Sequence, residues 1–189
     1  WSISQVMLAA FPAFAKESIG VTNTVVIQGT LAASGIGIIM GSLLAGRWSK
    51  RYIETGIIPL GAAGIAAGLF LLPGIGSVIG HILNFLFIGV CAGLFIVPLN
   101  ALIQFHAGED ELGTVLAGNN LVQNIGMLGF LVLTVVVAYA GIDTSILLFL
   151  IAAVALLGGA YTVWSLPQSL LRFMIRYMLS RRYKVHVQG

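Results

Sequence analysis

The residues best suited to chemistry in this chain are carboxamides in apolar surroundings. Asn120, Gln123 and Asn124 are spaced three and four residues apart, so on an α-helix they share one face, which Asn119 borders. Asn100 occurs in a second apolar run. An amide both donates and accepts hydrogen bonds, and in an apolar medium it needs partners. These amides therefore indicate either hydrogen bonds between helices or the polar lining of a cavity.

Chemistry beyond hydrogen bonding is not indicated. The histidines, His81, His106 and His186, have no neighbours in the sequence that would complete a metal site or activate a nucleophile. No glycine-rich stretch has the form of a phosphate-binding loop. The single cysteine, Cys91, excludes an internal disulfide and lies in an apolar run, where it fits as a small packing residue. We therefore expect no catalytic residue, no metal and no cofactor in this chain.

Long apolar segments must position the amides. The chain has 189 residues, of which 59% are hydrophobic and 8% charged, whereas soluble domains carry about 25% charged residues. Asp, Glu, Lys and Arg are absent from residues 18–46, 55–108, 112–142 and 144–171, and about 20 apolar residues span a membrane as a helix. The sequence predicts an all-α integral membrane protein. Its six segments are expected at 1–15, 24–46, 55–72, 78–104, 113–138 and 145–165.

Charge distribution predicts how these segments are oriented. If the first segment starts in the cytoplasm, eight of the nine basic residues lie on the cytoplasmic side and only Lys16 lies outside. This asymmetry is the positive-inside bias of a multi-pass protein, and it places the C-terminus in the cytoplasm. These eight basic residues belong to one loop and one C-terminal tail. Their positions favour contact with membrane lipids and argue against nucleic acid as a partner.

Glycines recur at a spacing that lets helices approach closely in lipid. Three pairs have the G-x-x-x-G spacing, one in each of the second, third and fourth segments. They are Gly37 with Gly41, Gly64 with Gly68, and Gly89 with Gly93. We interpret them as contacts within one compact bundle rather than as dimerisation sites.

Two stretches of different character follow the last segment. Apolar residues recur at helical spacing after Pro167, with arginines off that stripe, which predicts an amphipathic interfacial helix over 167–182. Residues 183–189 then alternate apolar and polar side chains like the first strand of a soluble domain. We therefore expect a transmembrane domain at 1–166, with its first helix truncated, then the interfacial helix and the start of a truncated domain.

The loop between the second and third segments resembles the cytoplasmic loop motif of the major facilitator superfamily. Residues 42–51 read S-L-L-A-G-R-W-S-K-R, against a family pattern of roughly G-x-L-A-D-R-x-G-R-R. Arg47, Lys50 and Arg51 match the basic positions of the motif, whereas Gly46 replaces the family acid. The resemblance implies a six-helix half-bundle of the major facilitator fold, helices seven to twelve, whose partner is an N-terminal transporter half.

Longer stretches resemble bacterial lysophospholipid transporters that are fused to a glycerophospholipid acyltransferase. The resemblance is carried by residues 11–17, 53–56, 59–61, 116–120 and 166–173. It implies transport of lysophospholipid, or another amphipathic small molecule, across the bacterial cytoplasmic membrane, followed by re-acylation in a downstream acyltransferase domain. The amides named above would then line the substrate cavity. The acyltransferase signature Asn-His-x-x-x-x-Asp is absent from this chain, so any such enzyme activity would belong to the full-length protein.

The sequence is also compatible with two other functions. One is an exporter of drugs or metabolites from the same superfamily. The other is a membrane anchor that holds a phospholipid acyltransferase at its lipid substrate. The anchor predicts that the amide face could be made apolar without consequence, whereas either transporter depends on its cavity.

Overall fold

Six α-helices account for most of the described chain. The computed structural model describes residues 1–50, 52–108 and 110–165. The helices are α1 (Ser2–Ser18), α2 (Thr24–Trp48), α3 (Ile57–Leu71), α4 (Val78–His106), α5 (Leu112–Tyr139) and α6 (Thr144–Ser165), with a short 3-10 turn at Leu72–Gly74. No strand occurs within these ranges. The number, order and approximate bounds of the predicted segments are therefore confirmed.

Most of the helices have the length and composition of membrane spans. Within the described ranges, α2, α4, α5, α6 and α3 with its following turn are each long and apolar enough to cross a membrane. The predicted class, an all-α integral membrane protein, is therefore confirmed. The amphipathic helix expected over 167–182 and the strand-like residues 183–189 lie outside the described residues.

The helices contact one another mainly between two triplets, α1 to α3 and α4 to α6, and α3 packs on α4 as well as on α6. The middle helix of each triplet packs on the first helix of the other, α2 on α4 and α5 on α1, and the two third helices, α3 and α6, pack on each other.

Facing glycines bring α2 and α4 into backbone contact. A Cβ atom on Gly89 would lie 2.9 Å from the Cα of Gly37, and one on Gly41 would lie 2.9 Å from the Cα of Val90. A Cβ atom on Gly93 would lie 2.6 Å from a backbone nitrogen of α2. These separations are too short for any side chain, so only glycine permits the contact. Two of the predicted glycine pairs therefore serve one interface inside the bundle.

The third glycine pair lies against another side of α4. A Cβ atom on Gly64 would collide with the sulfur of Cys91, which is buried, and one on Gly68 would collide with Ile88. The side-chain Nδ2 of Asn84 donates a 2.9 Å hydrogen bond to the carbonyl of Gly68. This amide is thus satisfied between α3 and α4. The packing role expected for Cys91 is confirmed.

The apolar core lies mainly between α1, α3, α6 and the first turns of α2 and α4. Its largest fully buried side chains include Phe11, Phe14 and Phe85. Helix α5 contributes little, because Thr134 is its single buried residue, although Phe130 and Val137 pack against the core from outside. Within the described residues, α5 therefore packs on the bundle along one side, with half-buried side chains in both its halves, and its other side is exposed.

Candidate functional site

The amide face of α5, formed by Asn119, Asn120, Gln123 and Asn124, lies in the N-terminal half of that helix. The helix is continuous through all four residues, so their spacing places them on one side. Asn120 and Asn124 are exposed, whereas Asn119 and Gln123 are half-buried. Among the hydrogen bonds of the described residues, none involves these four side chains. Their donors and acceptors therefore remain available to a ligand or to another part of the protein.

Asn100 is held separately on α4. It is half-buried, and the helix continues through the buried Pro98 two residues earlier. A proline inside a helix removes one backbone hydrogen bond, which leaves the carbonyl of Leu94 without its usual donor. Helices α4 and α5 touch only slightly, and within the described ranges no hydrogen bond joins Asn100 to the amide face.

The structure distinguishes amides that bond between helices from amides that could line a cavity. Asn84 shows the interhelical one, since its side chain bonds across to α3. Asn100 and the amide face have no such partner among the described residues. Their proposed place in a substrate cavity stays a prediction.

The basic loop motif lies where α2 ends. Gly46 and Arg47 belong to the last turn of α2, and Lys50 follows the C-cap residue Ser49. All but Ser49 are exposed, whereas Arg51 lies outside the described residues. A Cβ atom on Gly46 would meet nothing within 4 Å, so the space for the acid of the family motif is present.

The connection from α2 to α3 also holds a buried carboxylate. Glu54 is 8% exposed, and its backbone N–H donates to Ser49 Oγ at 3.3 Å. Burial raises the pKa of the Glu54 carboxyl, and a hydrogen bond from the backbone of Gly56 opposes that effect. The described residues of the connection between α2 and α3 therefore pack against the protein rather than extend into solvent.

One polar residue that sequence reasoning left without a role is His81, in the first turn of α4. It is fully buried, and its Nδ1 atom lies 2.9 Å from the carbonyl oxygen of Ser77. The rings of Phe11 and Phe14 lie 5.4 and 5.9 Å from the imidazole, centroid to centroid. The sequence signal was a histidine four residues after a helix-capping serine. The burial of its far edge depends on α1, which the sequence does not place.

Metal binding finds no support in the described residues. Within them, no three His, Cys, Asp or Glu side chains lie close enough together to hold an ion.

The family of the chain follows from its match to a known sequence family. Residues 1–130 match the Major Facilitator Superfamily, and five helices in the described ranges are long and apolar enough to span a membrane. The chain belongs to the Major Facilitator Superfamily. It is therefore a multi-pass membrane protein of a transporter family.

Individual relatives include two proteins with the same name. The chain is 32% identical over 128 residues to "Lysophospholipid transporter LplT" of Yersinia enterocolitica, covering 66% of this chain and 31% of that protein. It is 30% identical over 161 residues to "Lysophospholipid transporter LplT" of Salmonella arizonae, covering 80% of this chain and 38% of that protein.

A third relative has a less specific name. The chain is 34% identical over 155 residues to "Putative transporter AraJ" of Escherichia coli, covering 79% of this chain and 34% of that protein. The chain thus spans roughly a third of the length of each of these relatives. No solved structure gives a significant match.

Proposed function

We propose that the chain is the C-terminal half of a bacterial lysophospholipid transporter, helices seven to twelve, and that it carries lysophospholipid across the cytoplasmic membrane together with an N-terminal half. The observation that carries this proposal is the partnerless amide face of α5. Two relatives named as lysophospholipid transporters favour this substrate class over others.

Exposing the amide face to lipid tails would cost free energy. Each polar group without a partner in hydrocarbon costs several kcal/mol, so membrane helices turn such groups towards other helices or towards a wet cavity. Because the described residues leave Asn120 and Asn124 exposed, we place them at the cavity between the two halves of the transporter. There they would offer hydrogen bonds to a headgroup and to a glycerol hydroxyl.

Position along the helices supports the same placement. Asn119 to Asn124 lie about 10–18 Å from the start of α5, at 1.5 Å per residue, which is near the middle of a hydrocarbon core of about 30 Å. Asn100 lies about 9 Å from the end of α4 by the same rise, and in the proposed topology that end is on the same side as the start of α5. Substrate sites of secondary transporters lie near this midplane.

The orientation and the neighbouring domain belong to the same proposal. Exposed Arg47 and Lys50 would face the cytoplasm and its anionic lipids. The interfacial helix over 167–182 would then lie on the inner surface. A domain starting at 183–189 would be the acyltransferase that consumes the imported lysolipid.

The test is uptake by the full-length protein in vesicles. Replacing two of the amides together, Gln123→Leu with Asn124→Leu, is expected to lower uptake of labelled lysophosphatidylethanolamine by about ten-fold or more, since each lost hydrogen bond to substrate is worth about 1 kcal/mol. Gln104→Leu is the matched control, because it converts an exposed amide near the end of α4 and should leave uptake unchanged. Normal uptake by the double variant would remove the amide face from the mechanism.

A second candidate, export of another amphipathic molecule, is favoured by the similarity to the putative transporter of Escherichia coli. The same vesicles distinguish it: a wild-type protein that moves amphipathic drugs but not lysophospholipid would support this candidate. A protein that moves neither would leave the membrane anchor, for which the amide face has no role.

A further inference from the structure

The second half of α1 meets the first turns of α4 through aromatic side chains. The ring centroids of Phe11 and Phe14 lie 5.4 and 5.9 Å from that of His81. Phe11 also packs edge-on against Phe85, with the centroids 4.8 Å apart, and all four side chains are fully buried. Within the described ranges, α1 is not among the helices whose backbones pack closely on α4, as those of α2 and α3 do. A few side chains therefore hold these two ends together.

The imidazole of His81 is buried with one nitrogen unpaired. Its Nδ1 atom lies 2.9 Å from the carbonyl oxygen of Ser77, which only accepts hydrogen bonds, so Nδ1 carries the hydrogen of the neutral ring. Nε2 is then an acceptor, and within the described part of the chain it is buried without a hydrogen-bond partner. The space beside the ring, between α1, α2 and α4, has no room for a water molecule. Nε2 therefore stays unpaired while the helices are in contact.

The unpaired nitrogen disfavours the closed contact relative to an open one. A buried polar group without a partner costs free energy, whereas water supplies the missing donor once the group is exposed. Thr30 is the other polar side chain among the described residues that line the space, and its hydroxyl donates to the carbonyl of Val26 at 2.8 Å. Because Phe11 and Phe14 cover the ring from α1, separation of α1 from α4 is the movement that brings water to Nε2.

Helix α1 contains a point about which its covering half can bend. Pro12 lies inside the helix, directly after Phe11, and a proline there removes the helix hydrogen bond to the carbonyl of Leu8. Sharp bends in helices occur mostly at prolines. A bend at Pro12 would move Phe14 off His81 while the residues before the proline keep their place.

We propose that His81 makes the closed contact between α1 and α4 only marginally stable and so sets how often the bundle opens at this end. The inference rests on the proposed function, in which this end faces outward and lysolipid enters from the outer leaflet. His81 is three residues into α4, or about 5 Å along the axis, so the opening lies near the membrane boundary. Each opening pairs Nε2 with water, and each closing removes that water. His81 thus controls the opening without touching the substrate.

The test is the rate at which a buried cysteine reacts with a membrane-impermeant maleimide in the full-length protein. Thr30→Cys in the Cys91→Ala background is the reporter, because Thr30 is 2% exposed and lines the space beside His81. The maleimide reaches this cysteine when α1 moves away. His81→Phe keeps an aromatic ring but has no acceptor, so the closed contact is stabilised. We expect its reporter to react about ten-fold more slowly than with His81 present, the usual effect of removing an unpaired buried acceptor.

Two further variants separate the effect of the nitrogen from that of packing. Phe14→Leu loosens the same aromatic cluster and should speed the labelling. If His81 only fills space, His81→Phe also speeds the labelling or leaves it unchanged, and either result overturns the inference. His106→Phe is the matched control, because Nδ1 of His106 makes the same 2.9 Å contact, with the carbonyl of Leu102, but its ring is exposed. It should label at the wild-type rate, and equal slowing in His106→Phe and His81→Phe overturns the inference.

The remaining outcomes separate this inference from the proposed function. Removal of an unpaired acceptor should not lower the melting temperature. If His81→Phe does not fold, the smaller His81→Leu replaces it, and failure of both variants overturns the inference. Uptake of labelled lysophosphatidylethanolamine is measured in parallel. Slower labelling of His81→Phe without any wild-type uptake supports the role of His81 in opening and overturns lysophospholipid transport. Uptake without a difference in labelling overturns the role of His81 and leaves transport standing.

Discussion

Two helix–helix interfaces, that of α2 with α4 and that of α1 with α5, are built in different ways. Helices α2 and α4 meet through backbone, with Gly37 and Gly41 facing Gly89 and Gly93. Helices α1 and α5 meet through side chains over only part of their length. Close to the start of α1, a Cβ atom on Gly126 would lie 3.3 Å from the Ser2 hydroxyl, and the side chains of α5 before that residue are half-buried or exposed but none is buried.

The difference shows which helices of the bundle are in backbone contact and which helix is packed on one side only. Lipid tails are as apolar as leucine side chains, so helices in a membrane associate through close packing and hydrogen bonds rather than through the hydrophobic effect. The α2–α4 interface meets that requirement with small residues. The amide half of α5 has no such contacts among the described residues, and in the proposed transporter they would come from substrate, water or the other half.

The largest expected effect breaks the tight interface. Gly89→Ala places a methyl group against the backbone of Ser34 and Gly37, which forces the helices apart and should destabilise the protein by about 1–3 kcal/mol. Gly118→Ala in α5 is the matched control, because a Cβ atom there meets nothing within 4 Å. Thermal melting of both variants in detergent checks the comparison, and equal melting temperatures would show that the two interfaces do not differ as described.

The smallest expected effect concerns the residues that cap the N-termini of α2 and α6. Asn23 Oδ1 accepts from the backbone of Val25 at 2.9 Å at the start of α2, and Asp143 Oδ1 accepts from that of Ser145 at 2.7 Å at the start of α6. The hydrogen bonds from Ser145 lower the pKa of Asp143 below its ordinary value of 3.8. Because the folded-state pKa is depressed, this cap stabilises the protein above that value and is lost as pH falls through the folded-state pKa.

Melting as a function of pH checks this prediction. Asp143→Asn keeps the cap and should remove its dependence on acid, whereas Asn23→Ala should lower the melting temperature by a similar amount at every pH. An acid dependence that persists unchanged in Asp143→Asn would show that another group causes it.

The sequence predicted the helices well because their signals are local. Runs without charge set the spans, and residues such as Asn23 and Ser77 begin helices by accepting backbone hydrogen bonds. The roles of individual polar residues depend on distant contacts. Asn84 and Asn124 are the same residue in similar apolar runs, yet Asn84 bonds a carbonyl 16 residues away on α3, and Asn124 has no partner in the described ranges. Likewise, the burial of His81 could not be predicted from the sequence, because it depends on contacts with α1.

The central claim is that the amide face of α5 lines an aqueous substrate cavity. Its most direct test is labelling by a membrane-impermeant maleimide in the full-length protein, with Cys91→Ala as background. Asn124→Cys is compared with Val122→Cys, which lies on the opposite side of the helix and is 69% exposed in the half-bundle. We predict that Asn124→Cys reacts, that lysophospholipid slows its reaction, and that Val122→Cys, facing lipid, stays unlabelled. An unreactive Asn124→Cys, or equal labelling of both variants, would contradict the account.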